Sequence, residues 1–314
     1  MERLNTRHWA MLGETTFVGG VWLLYAVHRL LGRAFFRGLM LPVALVHWLT
    51  RPALRAASLQ YLQRLHVAQP GLFTRAPGWR EGLRHVALFA ETLLDKLLAI
   101  AGRYPFERVR EQGLEHLQRA RAQGRGGLFV TAHMGCLELC RVMGQRKAQL
   151  DVTVLVHTRH AQAFNRILQR LDPQTRVRLL EVSDFGPATA VQLAAIVDAG
   201  GWVAIAGDRV PLNSQQVAQV DFLGHSAPLP VGPYVLASLL RCPLLLLACV
   251  HAGDGYVIHF DTLAERVQLP RAERQAALAQ HAQAFADALA ILLRTAPYDW
   301  FNFYAFWDHA DAPA

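Results

Sequence analysis

The chain has 314 residues, 53% of them hydrophobic and 18% charged, with a mean hydropathy of +0.17. Length and composition exclude a disordered or collagen-like chain and a small disulfide-stapled fold, and they supply ample apolar material for a core. The formal charge of +8 belongs to residues 1–84, where eleven arginines stand against three glutamates. A basic segment suits nucleic acid or an anionic membrane surface. Here long apolar runs separate the arginines, which favours a membrane surface and argues against nucleic acid.

From Phe17 to Leu49 two apolar runs flank His28, Arg29, Arg33 and Arg37. Neither run alone reaches the ~20 residues of a membrane span, and Pro42 interrupts the second. The spacing of four predicts that Arg29, Arg33 and Arg37 share one helical face, with Leu31, Phe35 and Leu39 opposite. That pattern suits a helix in the headgroup layer with its arginines turned to anionic lipid. The competing expectation is a helix packed on the protein's own core. No cleavage site for a signal peptide follows Val27 before more arginines.

Residues 50–84 read as helix and loop closing in Ala76-Pro77-Gly78, and residues 85–101 as a helix. Residues 1–84 are therefore expected to form a basic, membrane-associating helical segment, and residues 85–314 an α/β domain. From residue 127 short apolar runs alternate with helical patterns. Strands are predicted at Gly127–Thr131, Val152–Val156, Val177–Val182, Trp202–Ala206, Pro243–Val250 and Tyr256–Phe260. Helices are predicted at 136–148, 161–171, 187–199, 231–241 and 271–295. Such alternation implies an α/β fold with a mixed, largely parallel central sheet flanked by helices. Four cysteines, Cys136, Cys140, Cys242 and Cys249, form no C-x-x-C pair. They fit small hydrophobes in a reducing cytoplasm.

The most informative stretch is Gly127–Arg141, GLFVTAHMGCLELCR. A strand runs into His133, Gly135 permits a sharp turn, and a helix opens with Glu138 in its first turns. On one continuous helix the two side chains would point about 140° apart, but the turn lets Glu138 fold back to the imidazole. A carboxylate on one ring nitrogen raises the basicity of the other, which can then take a proton from a hydroxyl or amine. A structural histidine bracing the turn is the alternative. No metal-ligand spacing such as H-E-x-x-H appears, and no cofactor is expected.

An ordered series of further motifs narrows the choice. His133 and Glu138 match the H-x4-D/E motif of the lysophospholipid acyltransferase superfamily, and the chain resembles its branch of bacterial lipid A late (lauroyl or myristoyl) acyltransferases. Val156-His157-Thr158-Arg159, with Asn165 after it, resembles the second block of that family. Gly207-Asp208-Arg209 stands at a strand end where the family carries an acidic turn. Val220–Pro233, VDFLGHSAPLPVGP, resembles the V-x-F-F-G block with Leu223 in place of the second aromatic, and Tyr298–Trp307, YDWFNFYAFW, resembles its aromatic C-terminal segment.

The resemblance implies transfer of a fatty acyl chain from a thioester, on acyl carrier protein or coenzyme A, to a hydroxyl of a lipid or glycolipid, without an acyl-enzyme. His133 would be the general base and Glu138 its orienting carboxylate. Arg159, Asn165, Asp208, Arg209 and Gly224 would contact substrate. Backbone amides near Gly135, or Arg159, would receive the thioester oxyanion. The expected location is the cytoplasmic face of the inner membrane. A thioesterase, an acyltransferase of an aryl-polyene pathway and a non-catalytic lipid-binding scaffold remain open. Cys136, three residues from His133, is set aside as a nucleophile.

Overall fold

The computed structural model describes residues 18–145, 150–156, 178–181, 186–210 and 216–307. Arg159, Asn165 and the helix expected at 161–171 lie outside the described residues. Eight α-helices are present among those described: α1 (Val18–Thr50), α2 (Pro52–Ala68), α3 (Trp79–Ile100), α4 (Leu114–Arg121), α5 (Leu137–Met143), α6 (Pro187–Asp198), α7 (Gly232–Leu240) and α8 (Arg274–Thr295). The strands are β1 (Val109–Gln112), β2 (Leu128–Thr131), β3 (Val152–Val156), β4 (Arg178–Glu181), β5 (Trp202–Ala206), β6 (Val217–Phe222), β7 (His225–Pro230), β8 (Leu244–Ala252) and β9 (Gly255–Ala264).

Seven strands form one sheet in the order β1-β9-β8-β2-β5-β3-β4, and β6 and β7 form a separate antiparallel hairpin. From β8 through β4 all neighbours run parallel; β9 turns back against β8 and carries β1 parallel to itself. The mixed, mostly parallel sheet expected from the alternation is present. The central strands are apolar on both faces because helices cover both. Leu128, Val130, Val203, Leu244 and Leu246 enter the core beneath α6, α7 and α8. Phe129, Trp202, Ala204, Leu245 and Leu247 enter the opposite core, shared with α1, α3 and α5. Strands β1, β6 and β7 are additions that the apolar runs did not announce.

The N-terminal helix differs from its expected pose in three ways. It breaks at Gly32, whose φ of 81° and ψ of 178° suit glycine alone, and it passes through Pro42. It touches the body along one stripe of Phe36, Met40, Ala44 and Trp48, spaced four apart. The Trp48 indole lies over Gly82 of α3, where a Cβ would overlap the ring. Finally, two of the three arginines meet acidic partners on the body, while Arg29 is exposed. Arg33 makes a bidentate pair with Asp95 at 2.8 Å for both bonds, and Arg37 Nε donates to Glu91 at 2.8 Å. The apolar side is left outside: Leu30, Leu31, Phe35, Leu41, Val46 and Leu49 are each more than half exposed. Tyr25–Thr50 is long and apolar enough to cross a membrane by length and composition. Helix α8 passes the same test, but Phe285, Leu289 and Leu293 bury it in the core. Helix α3 runs across the expected boundary at residue 84.

Candidate active site at the sheet edge

Strands β2, β5 and β8 end at one edge of the sheet, where residues just past parallel strands converge. The register pairs Thr131 with Ala206, and Gly207 N–H donates to the Thr131 carbonyl at 2.8 Å. Two residues further on, that register sets His133 beside Asp208. The Asp208 carboxylate grips His133 twice: Oδ2 accepts its backbone N–H and Oδ1 meets ring Nδ1, both at 2.8 Å. Trp300 Nε1–H also donates to Oδ2 at 3.0 Å. Asp208 is 2% exposed, which burial alone would make costly, yet its pKa lies near 2. Burial raises it, and the opposing His133, its two hydrogen bonds and the Arg209 charge outweigh that.

Nδ1 is thus committed to a carboxylate as a donor, which leaves Nε2 to accept a proton. Packing around the imidazole and the Arg209 charge lower its proton affinity, Asp208 raises it, and the balance lies below the ordinary histidine value. With 38% of the side chain open to solvent, water screens part of the burial effect. The result is an oriented imidazole that is neutral at neutral pH.

Glu138, the partner expected from the sequence, opens α5 beside this pair without joining it. Its Oε2 lies 3.7 Å from Lys96 Nζ of α3 and takes no hydrogen bond among the described residues. The group on the imidazole is Asp208, which the sequence placed among substrate contacts. Lys96 adds a second positive charge acting on His133. Arg209 projects near Tyr304, 5.9 Å from the ring centroid. Gly224 lies in the exposed β6–β7 turn with φ 76°, its N–H donating to Asp221 Oδ1 at 2.9 Å.

The amides around Gly135 are spent within the fold. Met134 N–H donates to Ala132, Gly135 N–H to Asp299 and Cys136 N–H to Cys249, at 2.7, 3.0 and 2.9 Å. These three amides are therefore not open to an oxyanion. Gly135 has φ 51°, and a Cβ there would overlap the Cys249 carbonyl oxygen, so the turn demands glycine. Cys136 is fully buried and its thiol is pushed well above the usual range by burial, which suits a packing role.

The sequence marked Tyr298–Trp307 only as an aromatic segment, and Trp300, Phe301 and Tyr304 are buried. They also carry the site. Phe301 N–H donates to the His133 carbonyl at 3.0 Å, and Tyr304 O–H to the Asp208 carbonyl at 3.4 Å. From α3, His85 Nε2–H donates to the Trp300 carbonyl at 3.0 Å while Nδ1 accepts from Ser58 at 2.9 Å.

None of the curated proteins compared matches the chain. A model of the family described as bacterial lipid A biosynthesis acyltransferase matches residues 93–308, from within α3 to just past Trp307. That span takes in β1–β9, His133, Asp208 and the aromatic segment, and the chain belongs to this family of acyltransferases.

Proposed function

We propose that the protein transfers a fatty acyl chain from a thioester to a hydroxyl of a lipid A-type or other glycolipid acceptor, with His133 as general base and Asp208 as its orienting carboxylate. The observation that carries this reading is the double grip of Asp208 on His133, which fixes the tautomer and leaves Nε2 for substrate. The acceptor oxygen attacks the thioester carbonyl carbon as Nε2 takes its proton. The tetrahedral adduct then expels the thiolate, the C–S bond breaks, and the imidazolium returns the proton to sulfur. Ester and thiol result. Arg209 is the cation that best fits the oxyanion or a substrate phosphate among the described residues, because its charge already acts on both His133 and Asp208. Arg159 and Asn165 keep their expected roles as substrate contacts. Glu138, neutralised by Lys96, shapes the charge beside the base.

Acyl carrier protein is the donor this reading favours, with acyl-coenzyme A second. Residues 1–84 are the membrane-associating segment, at the cytoplasmic face of the inner membrane. Support comes from the exposed apolar side of α1: six large side chains left in water cost several kcal/mol together, at roughly 1.5–3 kcal/mol for each fully transferred. The test is mass spectrometry of products from de-O-acylated lipid A with lauroyl thioesters of acyl carrier protein and of coenzyme A. Wild type should add one acyl mass to the acceptor and His133→Ala should not. Equal product from both proteins would remove His133 as the base.

A further inference from the structure

Near the end of β8, on the same sheet edge, His251 is built like His133. Its backbone N–H donates to Asp299 Oδ2 at 2.6 Å, and ring Nδ1 meets Asp299 Oδ1 at 2.9 Å. Asp299 is 1% exposed. The resemblance ends at the other ring nitrogen. His251 lies against the Tyr256 ring, 4.1 Å between centroids, and its Nε2 is buried with no hydrogen-bond partner among the described residues. A nitrogen sealed in this way cannot meet a substrate hydroxyl. With no acceptor facing Nε2, the ring proton stays on Nδ1 and donates to Asp299.

What the second pair holds is the chain that follows Asp299. The Asp299 carbonyl accepts Gly135 N–H, fixing the turn after His133. Trp300 Nε1–H donates to Asp208 Oδ2, and Phe301 N–H donates to the His133 carbonyl. Met134 and Trp300 form an antiparallel bridge. Three consecutive residues thus bind the His133 turn and the Asp208 carboxylate, and the first of them is clamped by His251.

We propose that His251 and Asp299 are positioning residues for acyl transfer: their pair fixes residues 299–301 and, through them, the geometry of His133 and Asp208. The proposal rests on the reading of His133 as the base. The groups facing His133 are Asp208 and Arg209 from the end of β5 and Lys96 from α3 beside Glu138. Those facing His251 are Asp299 and Tyr256, whose hydroxyl donates to Asp95 at 3.0 Å. Loosening the clamp withdraws the Trp300 donor from Asp208. A carboxylate relieved of one donor holds the imidazolium more tightly, so the proton affinity of His133 rises.

The experiment is a pH titration of full-length protein carrying 13C-labelled histidine in detergent, with the His133 signal assigned by its loss in His133→Asn. In His251→Ala the His133 midpoint should rise by about 0.5 pH units. His251→Asn places an amide N–H near the position of Nδ1–H and should return the midpoint close to wild type. Trp300→Phe removes the indole donor together with part of a buried ring and should reproduce the rise. If His251→Ala fails to fold, Asp299→Asn, which keeps the side chain's size but loses the carboxylate that accepts both His251 donors, carries the test with the same expected rise. An unmoved His133 midpoint in His251→Ala or Trp300→Phe overturns the proposal, as does equal movement in His251→Ala and His251→Asn. These midpoints need no substrate, so their failure leaves the acyl-transfer reading to be judged separately by the activity of His133→Ala.

Discussion

The sheet edge and helix α1 are held to the same body by opposite means. At the edge, a carboxylate that is 2% exposed is met by hydrogen bonds from three directions and walled by Trp300, Tyr304 and Phe222. Helix α1 has one stripe of four side chains and two arginines on the protein, while its leucines face out. The edge is complete within the chain. The helix leaves a row of large apolar side chains uncovered, and under the proposed function a membrane surface would cover them.

The widest separation between the two should appear at the base. His133→Ala is expected to lower kcat by about 10³-fold or more, with membrane partition unchanged, as measured by steady-state kinetics and vesicle flotation. Asp208→Asn should cost about 10²-fold. Its amide can donate to Nδ1 and shift the ring proton to Nε2, where it blocks proton uptake. Should Asp208→Asn retain full activity while Glu138→Gln loses it, the assignment of the orienting carboxylate would pass back to Glu138.

On the helix side, Arg33→Leu takes the bidentate guanidinium away from the fully buried Asp95 and leaves the Tyr256 hydroxyl donating to it. It should cost about 3 kcal/mol in urea unfolding, and Asp95→Asn in the same chain should recover much of that. Equal losses in the single and double variants would mean that the pair contributes packing rather than charge balance. A pH series sharpens the contrast further. Burial lowers His85 to about 4 from the 6.5 of an unfolded chain. The unfolded state therefore takes its proton first, and stability present above pH 6.5 is lost as pH falls from 6.5 towards 4, by up to about 3 kcal/mol. Asp208 adds a loss between pH 3.8 and 2, again on acidification. His85→Gln should be less stable at pH 7.5 yet flatter between pH 6.5 and 4. The smallest effect is expected from Leu31→Gln with Phe35→Gln, which should reduce binding to anionic vesicles about tenfold while leaving kcat on soluble thioesters intact.

Much of the sheet could be read directly, because Val152–Val156, Trp202–Ala206 and Leu244–Ala252 are short apolar runs between helical patterns. Strands β6 and β7 could not, since prolines at 228 and 230 and the sequence SAPLPVGP read as a turn and helix start. His133 was legible from its motif, but its partner was not. Glu138 is near in sequence, whereas Asp208 is brought near by the β2–β5 register, and one chain does not say which strands are neighbours. The same reason hid Trp300 and Asp299, whose polar atoms act across long stretches of chain. The shared face of the α1 arginines was legible, but the sequence did not show that Asp95 and Glu91, spaced four apart on α3, pair with Arg33 and Arg37 while Arg29 stays exposed.

Residues 299–304 come after every strand of the sheet in chain order. During synthesis the apolar helix α1 emerges before every strand of the sheet. His133 and Asp208 follow, but the turn between β2 and α5 lacks its bonds to Asp299 and Phe301, and Asp208 lacks Trp300, until the aromatic segment leaves the ribosome. On the proposed reading, a chain that ends before Trp300 would keep the exposed apolar side of α1 but lack the bonds that fix His133 and Asp208, and so would be chemically silent.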